Sequence, residues 1–172
     1  MLSVILLAPS CADPMAARIQ DAVVRSLAAL VSAAVADVVR DVCLVGAPEA
    51  RLSAVADHAG CALVEDSDHG RGVAQAVRAA RGDRIFVLTA GYAPMSGFID
   101  EMSDWAMSAT PPAAALRAEP ASFAQRLFPS LASCVGIVAS KQDIVSADGD
   151  TPSLLARKLR ARTLLTRARR VV

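Results

Sequence analysis

Asp83-Arg-Ile-Phe-Val-Leu-Thr-Ala-Gly-Tyr-Ala-Pro94 is the stretch on which the reading of this chain turns. Four consecutive apolar residues, Ile85 to Leu88, stand between the Gly82-Asp83 turn signal and Gly91. A short run that is apolar without alternation suits a strand buried on both faces, as in a parallel sheet covered by helices. Working outward, similar runs at residues 3–8, 41–46, 61–65, 113–117 and 134–139 join 84–89 as expected strands. Three prolines, Pro111, Pro112 and Pro120, crowd the 113–117 run and predict a strand that is short or at an edge.

The spacers between the runs read as helices. Over residues 14–39, Ile19, Val23, Leu27, Leu30, Ala34 and Val38 recur every three or four positions, so one face packs on the sheet. Pro14 suits a first turn, where its missing N–H costs nothing, and Asp13 suits the N-cap. Helices are also expected at 48–58, with Leu52, Val55 and Ala59 inward, and at 72–81 and 97–107. The last of these carries Phe98, Met102 and Trp105 on one side; a final basic helix is expected at 152–162. Strands alternating with helices predict an α/β protein, a three-layer α/β/α sandwich around a mainly parallel sheet. No repeat or linker divides residues 1–172, which are expected to form a single domain.

Composition narrows the classes. The chain has 172 residues, 54% hydrophobic but only 3% aromatic, and its 36 alanines fill the gap. That excludes intrinsic disorder and suits helices lying close on a sheet. No apolar run reaches the ~20 residues of a membrane span. Cys11, Cys43, Cys61 and Cys134 are scattered, without zinc-site spacing, and read as small apolar residues of a reducing compartment. A cytoplasmic location is expected. The net charge of +1 hides an asymmetry: residues 1–150 hold all 17 acids with 11 bases, whereas the last 22 residues hold seven bases and no acid. Those bases either bind an anionic partner or form a solvated face paired with acids of the body. The tail has neither interleaved aromatic residues nor a nucleic-acid motif, so nucleic acid is not the expected partner.

In an open α/β sheet, ligands bind beyond the carboxyl ends of the strands. The loops to inspect are therefore 9–13, 46–49, 66–72 and 89–94. None carries a dinucleotide fingerprint, a phosphate-binding P-loop or a nucleophile elbow. The polar loop Glu65-Asp-Ser-Asp-His-Gly-Arg-Gly72 is either a phosphate site using Arg71 or an N-capping surface loop. Tyr92 either stacks on a ring or packs against Pro94 and Phe98.

A family likeness rests on the order of several pieces. They are Ala28-Ala-Leu, the strand Val42–Val45, Ala54-Val-Ala-Asp-His-Ala-Gly60, Gly70-Arg-Gly72 and Ala79-Ala-Arg-Gly-Asp83. Ile85-Phe-Val-Leu and Trp105 follow, then the basic Leu155-Ala-Arg-Lys-Leu-Arg160 with an apolar stretch behind it. This resembles family 2 glycosyltransferases of the small bacterial type, which have the GT-A fold, here shortened in the acceptor half. The resemblance implies a donor cleft lined by Pro9, Ser10, Gly46, Ala47, Arg71, Thr89, Gly91 and Tyr92, and makes the tail the closing element of the sheet.

The departures from that family bear on function. Where it reads uracil with an aspartate, this chain has Gly46, and where an aspartate holds the divalent metal, it has Gly91. Thr151-Pro152 replaces the expected carboxylate pair, leaving Asp13, Asp148 and Asp150 as catalytic candidates. No metal ligand is assigned, and Mg²⁺ or Mn²⁺ enters only if transfer survives. The expectation is a pseudoenzyme-like transferase with impaired transfer, binding a nucleotide-sugar-like ligand or a protein partner. A homodimer through apolar helix faces is a further option. One alternative is a scaffold or regulatory module using the basic tail. Another is a nucleotidyltransferase of the molybdenum-cofactor guanylyltransferase type. That type needs a glycine-rich first loop with Arg and Lys; Ser10-Cys-Ala-Asp13 has neither, and Arg18 is the nearest cation.

Overall fold

The structure, a computed structural model, describes residues 1–9, 18–128 and 132–171, with the backbone alone at 124 and 126. In chain order the elements begin with β1 (Leu2–Leu7), α1 (Ile19–Val35), β2 (Val39–Gly46), α2 (Ser53–Ala59), β3 (Ala62–Glu65) and α3 (His69–Ala79). β4 (Arg84–Thr89), β5 (Tyr92–Pro94), α4 (Phe98–Met107), β6 (Ala114–Ala118) and α5 (Phe123–Leu127) follow. The chain closes with β7 (Cys134–Ser140), α6 (Lys141–Ala147), α7 (Pro152–Lys158) and β8 (Arg162–Arg170).

These strands form an eight-stranded sheet in the order β3-β2-β1-β4-β7-β6-β8-β5. β3, β2, β1 and β4 are mutually parallel; β7 runs antiparallel to both β4 and β6, and β8 lies parallel to β6 and antiparallel to β5. Helices cover both faces. Leu2, Val4 and Leu6 pack with α1 and α4 on one, while Ile5 and Leu7 pack with α3, α6 and α7 on the other. The protein is thus the α/β sandwich expected, with β4 and β7 at the middle of its sheet. Alanine and glycine set the layer spacing: a Cβ on Gly72 would lie 2.6 Å from Val45 Cγ1.

Several boundaries differ for local reasons. α1 stops at Val35 rather than 39, because Asp37 turns the chain with φ 57° and Val39 already belongs to β2. Its expected start at Pro14 and Asp13 lies outside the described residues. The 48–58 helix is divided: a 3₁₀ turn at Pro48–Ala50 and a left-handed Arg51 precede α2. α3 begins three residues early, at His69, since the Asp68 carboxylate accepts the Arg71 N–H and caps it. The basic helix ends at Lys158, and the tail becomes β8, the closing strand that the resemblance implied. β6 is short but interior, not an edge, because all three prolines fall outside 114–118 and cost the ladder no donor. β5, α5 and α6 were not foreseen.

Trp105, Phe98 and Met102 are buried, and the indole Nε1 donates to the Pro112 carbonyl at 2.8 Å. Cys43 is buried, but Cys61 and Cys134 are only partly so; Cys11 lies outside the described residues. Among the described residues no helix is long and apolar enough to cross a membrane.

Candidate functional site

β1 and β4 end side by side, with Leu7 opposite Thr89. The chain leaving each stays tied to its neighbour: Ala8 N–H donates to the Val45 carbonyl and Ala90 N–H to the Leu7 carbonyl, both at 2.8 Å. β7 is antiparallel to β4, so its first residues arrive at this same end. There a cleft of about 410 Å³ opens. Its walls are Leu7 to Pro9, Thr89, Ala90 and Tyr92 on one side, and Cys134, Val135 and Asp150 to Ser153 on the other, with His69 and Arg170.

Of the residues expected at a site, Pro9, Thr89, Tyr92 and Asp150 line this cleft. Ser10 and Asp13 lie outside the described residues. Gly46, Ala47, Gly91, Arg71 and Asp148 are described but are not among the lining residues. All but Ala47 have a local explanation. A Cβ on Gly46 would lie 2.9 Å from Leu52 Cδ1 and 3.0 Å from Ala8 Cβ, so the end of β2 has no room for a side chain. Gly91 has φ 91°, a left-handed value that favours glycine, and its N–H donates to Ser26 Oγ at 2.9 Å. Ser26 Oγ in turn donates to the Tyr92 carbonyl at 2.9 Å, so this wholly buried serine fixes the β4–β5 turn.

Arg71 sits at the surface, 3.0 Å from Asp66 and 3.7 Å from Asp68. The Asp68 N–H first, and then Arg71, hold the Asp66 carboxyl below its ordinary range. This geometry matches the N-capping alternative for the 65–72 loop. Asp148 ends α6 in a left-handed conformation, and its carbonyl accepts from Lys158 Nζ at 2.7 Å. Lys158 also binds the Ala147 carbonyl at 2.8 Å, so this tail cation caps α6 and steadies the loop that carries Asp150. That loop rests on the start of α3, where a Cβ on Gly70 would lie 3.8 Å from Asp150 Cβ.

His69, Cys134, Ser153 and Arg170 were missed as site residues. In the sequence His69 stands in the polar 65–72 loop and Arg170 among the seven tail bases, and neither position by itself points to a cleft. Only the antiparallel pairing of Tyr92 with Arg170 brings that arginine to the cleft. Cys134 Sγ is 3.7 Å from the Pro152 carbonyl, and burial pushes its thiol pKa up, away from thiolate chemistry. Of the tail cations, Arg162 acts on the body acid Glu101 through its charge. Among the described residues, the carboxylate contacts within 4 Å belong to Arg71. β8 is held by strand pairing and by Glu101, whose carboxylate accepts the N–H groups of Leu165 and Thr166 at 2.8 and 2.9 Å.

The described residues do not fit a resident divalent cation. No three His, Cys, Asp or Glu side chains among them converge in ligating geometry, and Gly46 and Gly91 offer no carboxylate. On α1, Val24, Val31 and Val35 are exposed.

No protein-family model matches the chain, and no curated protein matches it in sequence. Solved structures match it in fold. A nucleotidyl transferase from Methanothermobacter superposes with a TM-score of 0.58 at 15% identity, over 100% of this chain and 88% of that one. HddC from Yersinia pseudotuberculosis, complexed with GMP-PN, gives 0.59 at 12% identity, over 98% and 92%. Glucosyl-3-phosphoglycerate synthase from Mycobacterium tuberculosis, in complex with Mn²⁺, UDP and phosphoglyceric acid, gives 0.58 at 15% identity, over 95% and 67%. The chain therefore has the GT-A-like fold that nucleotidyltransferases and glycosyltransferases share.

Proposed function

We propose that the cleft at the ends of β1 and β4 binds a nucleotide-sugar-like ligand through side-chain cations, in a protein impaired as a glycosyltransferase. The observation that carries this reading is a substitution of charge. The two positions where the family resemblance calls for carboxylates are glycines closed by packing or conformation, whereas Arg170 and His69 line the cleft. A diphosphate needs its charge offset by a metal or by protein cations. Arg170 supplies a fork of donors that fits phosphate oxygens, and Tyr92 offers a ring beside it. Asp150 is the carboxylate in the cleft wall and the group to test as a base; Asp13 and Asp148 are the other acids of this reading. All eight strands share one sheet, which supports taking residues 1–172 as a single domain.

The scaffold alternative is weakened by β8. A tail paired on both sides within the sheet is not a detachable basic arm.

Thermal melts with UDP, GDP and their sugars, each with and without Mn²⁺, test the proposal. A ligand at a hundred times its Kd stabilises by about 2.7 kcal/mol, or roughly 5–10 °C for a domain of this size. The expected result is a rise that does not need Mn²⁺ and is lost in Arg170→Gln. No shift with any nucleotide, or a shift confined to Mn²⁺, overturns it.

A further inference from the structure

α1 packs on the sheet through Ile19, Ala22, Val23, Ser26, Leu30 and Ala33, all buried. Its outward side is not the polar face that such packing ordinarily leaves. Val24, Ala28, Val31 and Val35 are exposed there, Val31 at 58% and Val35 at 80%. They stand four, three and four residues apart, the spacing of a seam along which two helices pack side by side. Next to the seam, between α1 and α2, lies a hollow of about 380 Å³ lined by Val24, Leu27, Ala54, Val55, His58 and Ala59. His58 is the one polar side chain of that lining, and its Nδ1 already donates to the Ala54 carbonyl at 2.6 Å. The same face therefore carries an apolar hollow beside Val24 and an apolar projection at Val35, about 16 Å further along the helix.

We propose that this face binds a second copy of the chain, α1 antiparallel to α1, in a two-fold dimer. The occupant follows from self-complementarity. A two-fold axis midway between Ala28 and Val31 sets Val24 of each copy opposite Val35 of the other, and Ala28 opposite Val31. Both projections then meet both hollows, and the contact closes on itself instead of propagating into a filament. The charges around the seam fit the same arrangement. Arg18, Asp21 and Arg25 are exposed at one end of α1, and Asp37 and Arg40 just past the other. Antiparallel docking brings these ends together, so that Arg25 meets the end bearing Asp37 and Asp21 the end bearing Arg40, twice over. It also opposes the two helix dipoles. An anionic bilayer or a polyanion calls for a rim of one sign, which this mixed set does not supply. A single-helix seam lies at the small end of specific interfaces, below about 1,200 Å² in total, so dimer formation depends on concentration. The inference does not rest on the nucleotide reading, because none of these residues lines that cleft.

The test is sedimentation velocity on the full chain from about 1 to 200 µM. The expected result is a reversible shift from monomer to dimer mass across that range. Val31→Glu, which sets a carboxylate in the middle of the seam, should raise the Kd ~100-fold or more. Val35→Glu, at the projection, gives a second reading from a position that is already exposed and so keeps the fold. Val145→Glu, at an exposed position on α6 across the sheet, should dimerise as wild type does. Mild oxidation reads the orientation: Val24→Cys and Val35→Cys combined in one chain should link two copies, whereas neither does alone. Wild type, with its four native cysteines, sets the background. A monomer at every concentration overturns the proposal. So does a dimer that survives both glutamate variants, an assembly larger than two, or linkage by Val24→Cys alone, which would mean parallel helices.

Discussion

Strands β1 and β4 are closed to water along nearly their whole length, whereas β8 buries only Leu164, Thr166 and Ala168 of its nine residues. The first pair is held by apolar side chains packed into helices on both faces. β8 carries four arginines and an all but fully exposed Leu165, and is held by backbone pairing and by a carboxylate from α4. The contrast explains where chemistry can sit. A strand buried on both faces can present a functional group only at its end, as β4 does with Thr89 in the cleft wall. A half-exposed strand can present groups along its length, and β8 does so with Arg162, Arg169 and Arg170, all exposed.

The sharpest way to break this comparison is to remove one large side chain from each region. Phe86 is fully buried at the sheet centre, its ring centroid 5.1 Å from that of Phe98. Phe86→Ala should cost about 3–5 kcal/mol, leaving a cavity that rigid neighbours cannot fill. Leu164→Ala, also at a buried position, should cost about 2 kcal/mol, because the chain around it can collapse toward solvent. Urea unfolding of both variants measures the difference, and equal costs would show that the two regions are equally packed.

A second variant places a carboxylate at the end of β2. Gly46→Asp should cost about 2–3 kcal/mol, through contact with Leu52 and Ala8 and through a charge placed against them. It should not confer Mn²⁺ binding, measured by calorimetry. A well-folded variant that binds Mn²⁺ would show that packing did not close this position.

What could be read from the sequence follows the same division. Residues 84–89 were placed without error, because an apolar run between turn signals has one economical use in an α/β protein. The glycines at 46 and 91 were recognised as departures, but their packing reasons were not readable. Leu52 closes Gly46 from another element, and Ser26 reaches Gly91 from α1 across 65 residues of chain. Arg170 was hidden for a related reason: its place depends on the register of β8 against a three-residue β5 that carries no pattern of its own. Tyr92 was found because it lies just beyond a strand that the apolar run marks, and Asp150 because the family resemblance points to the loop before the basic helix.

The finest distinction between the two regions is their response to acid. Glu101 draws opposing influences: partial burial pushes its carboxyl pKa up, while the Leu165 and Thr166 N–H groups, the Thr166 hydroxyl and Arg162 pull it down, and the net is a lowered value. A carboxylate with a lowered pKa in the folded state stabilises fully above its unfolded value, about 4.3, and loses that contribution as pH falls through the folded value. Glu101→Gln should therefore cost about 1–2 kcal/mol at pH 7, since charge-assisted bonds to two backbone donors become neutral ones. The difference from wild type should shrink steadily below about pH 4.5. Phe86→Ala, which alters no charge, should show no comparable convergence with wild type. Urea unfolding at pH 7 and at pH 3.5 separates the two. If the cost of Glu101→Gln stayed constant with pH, the carboxylate would be acting through its shape rather than its charge, and the account of how β8 is anchored would fail.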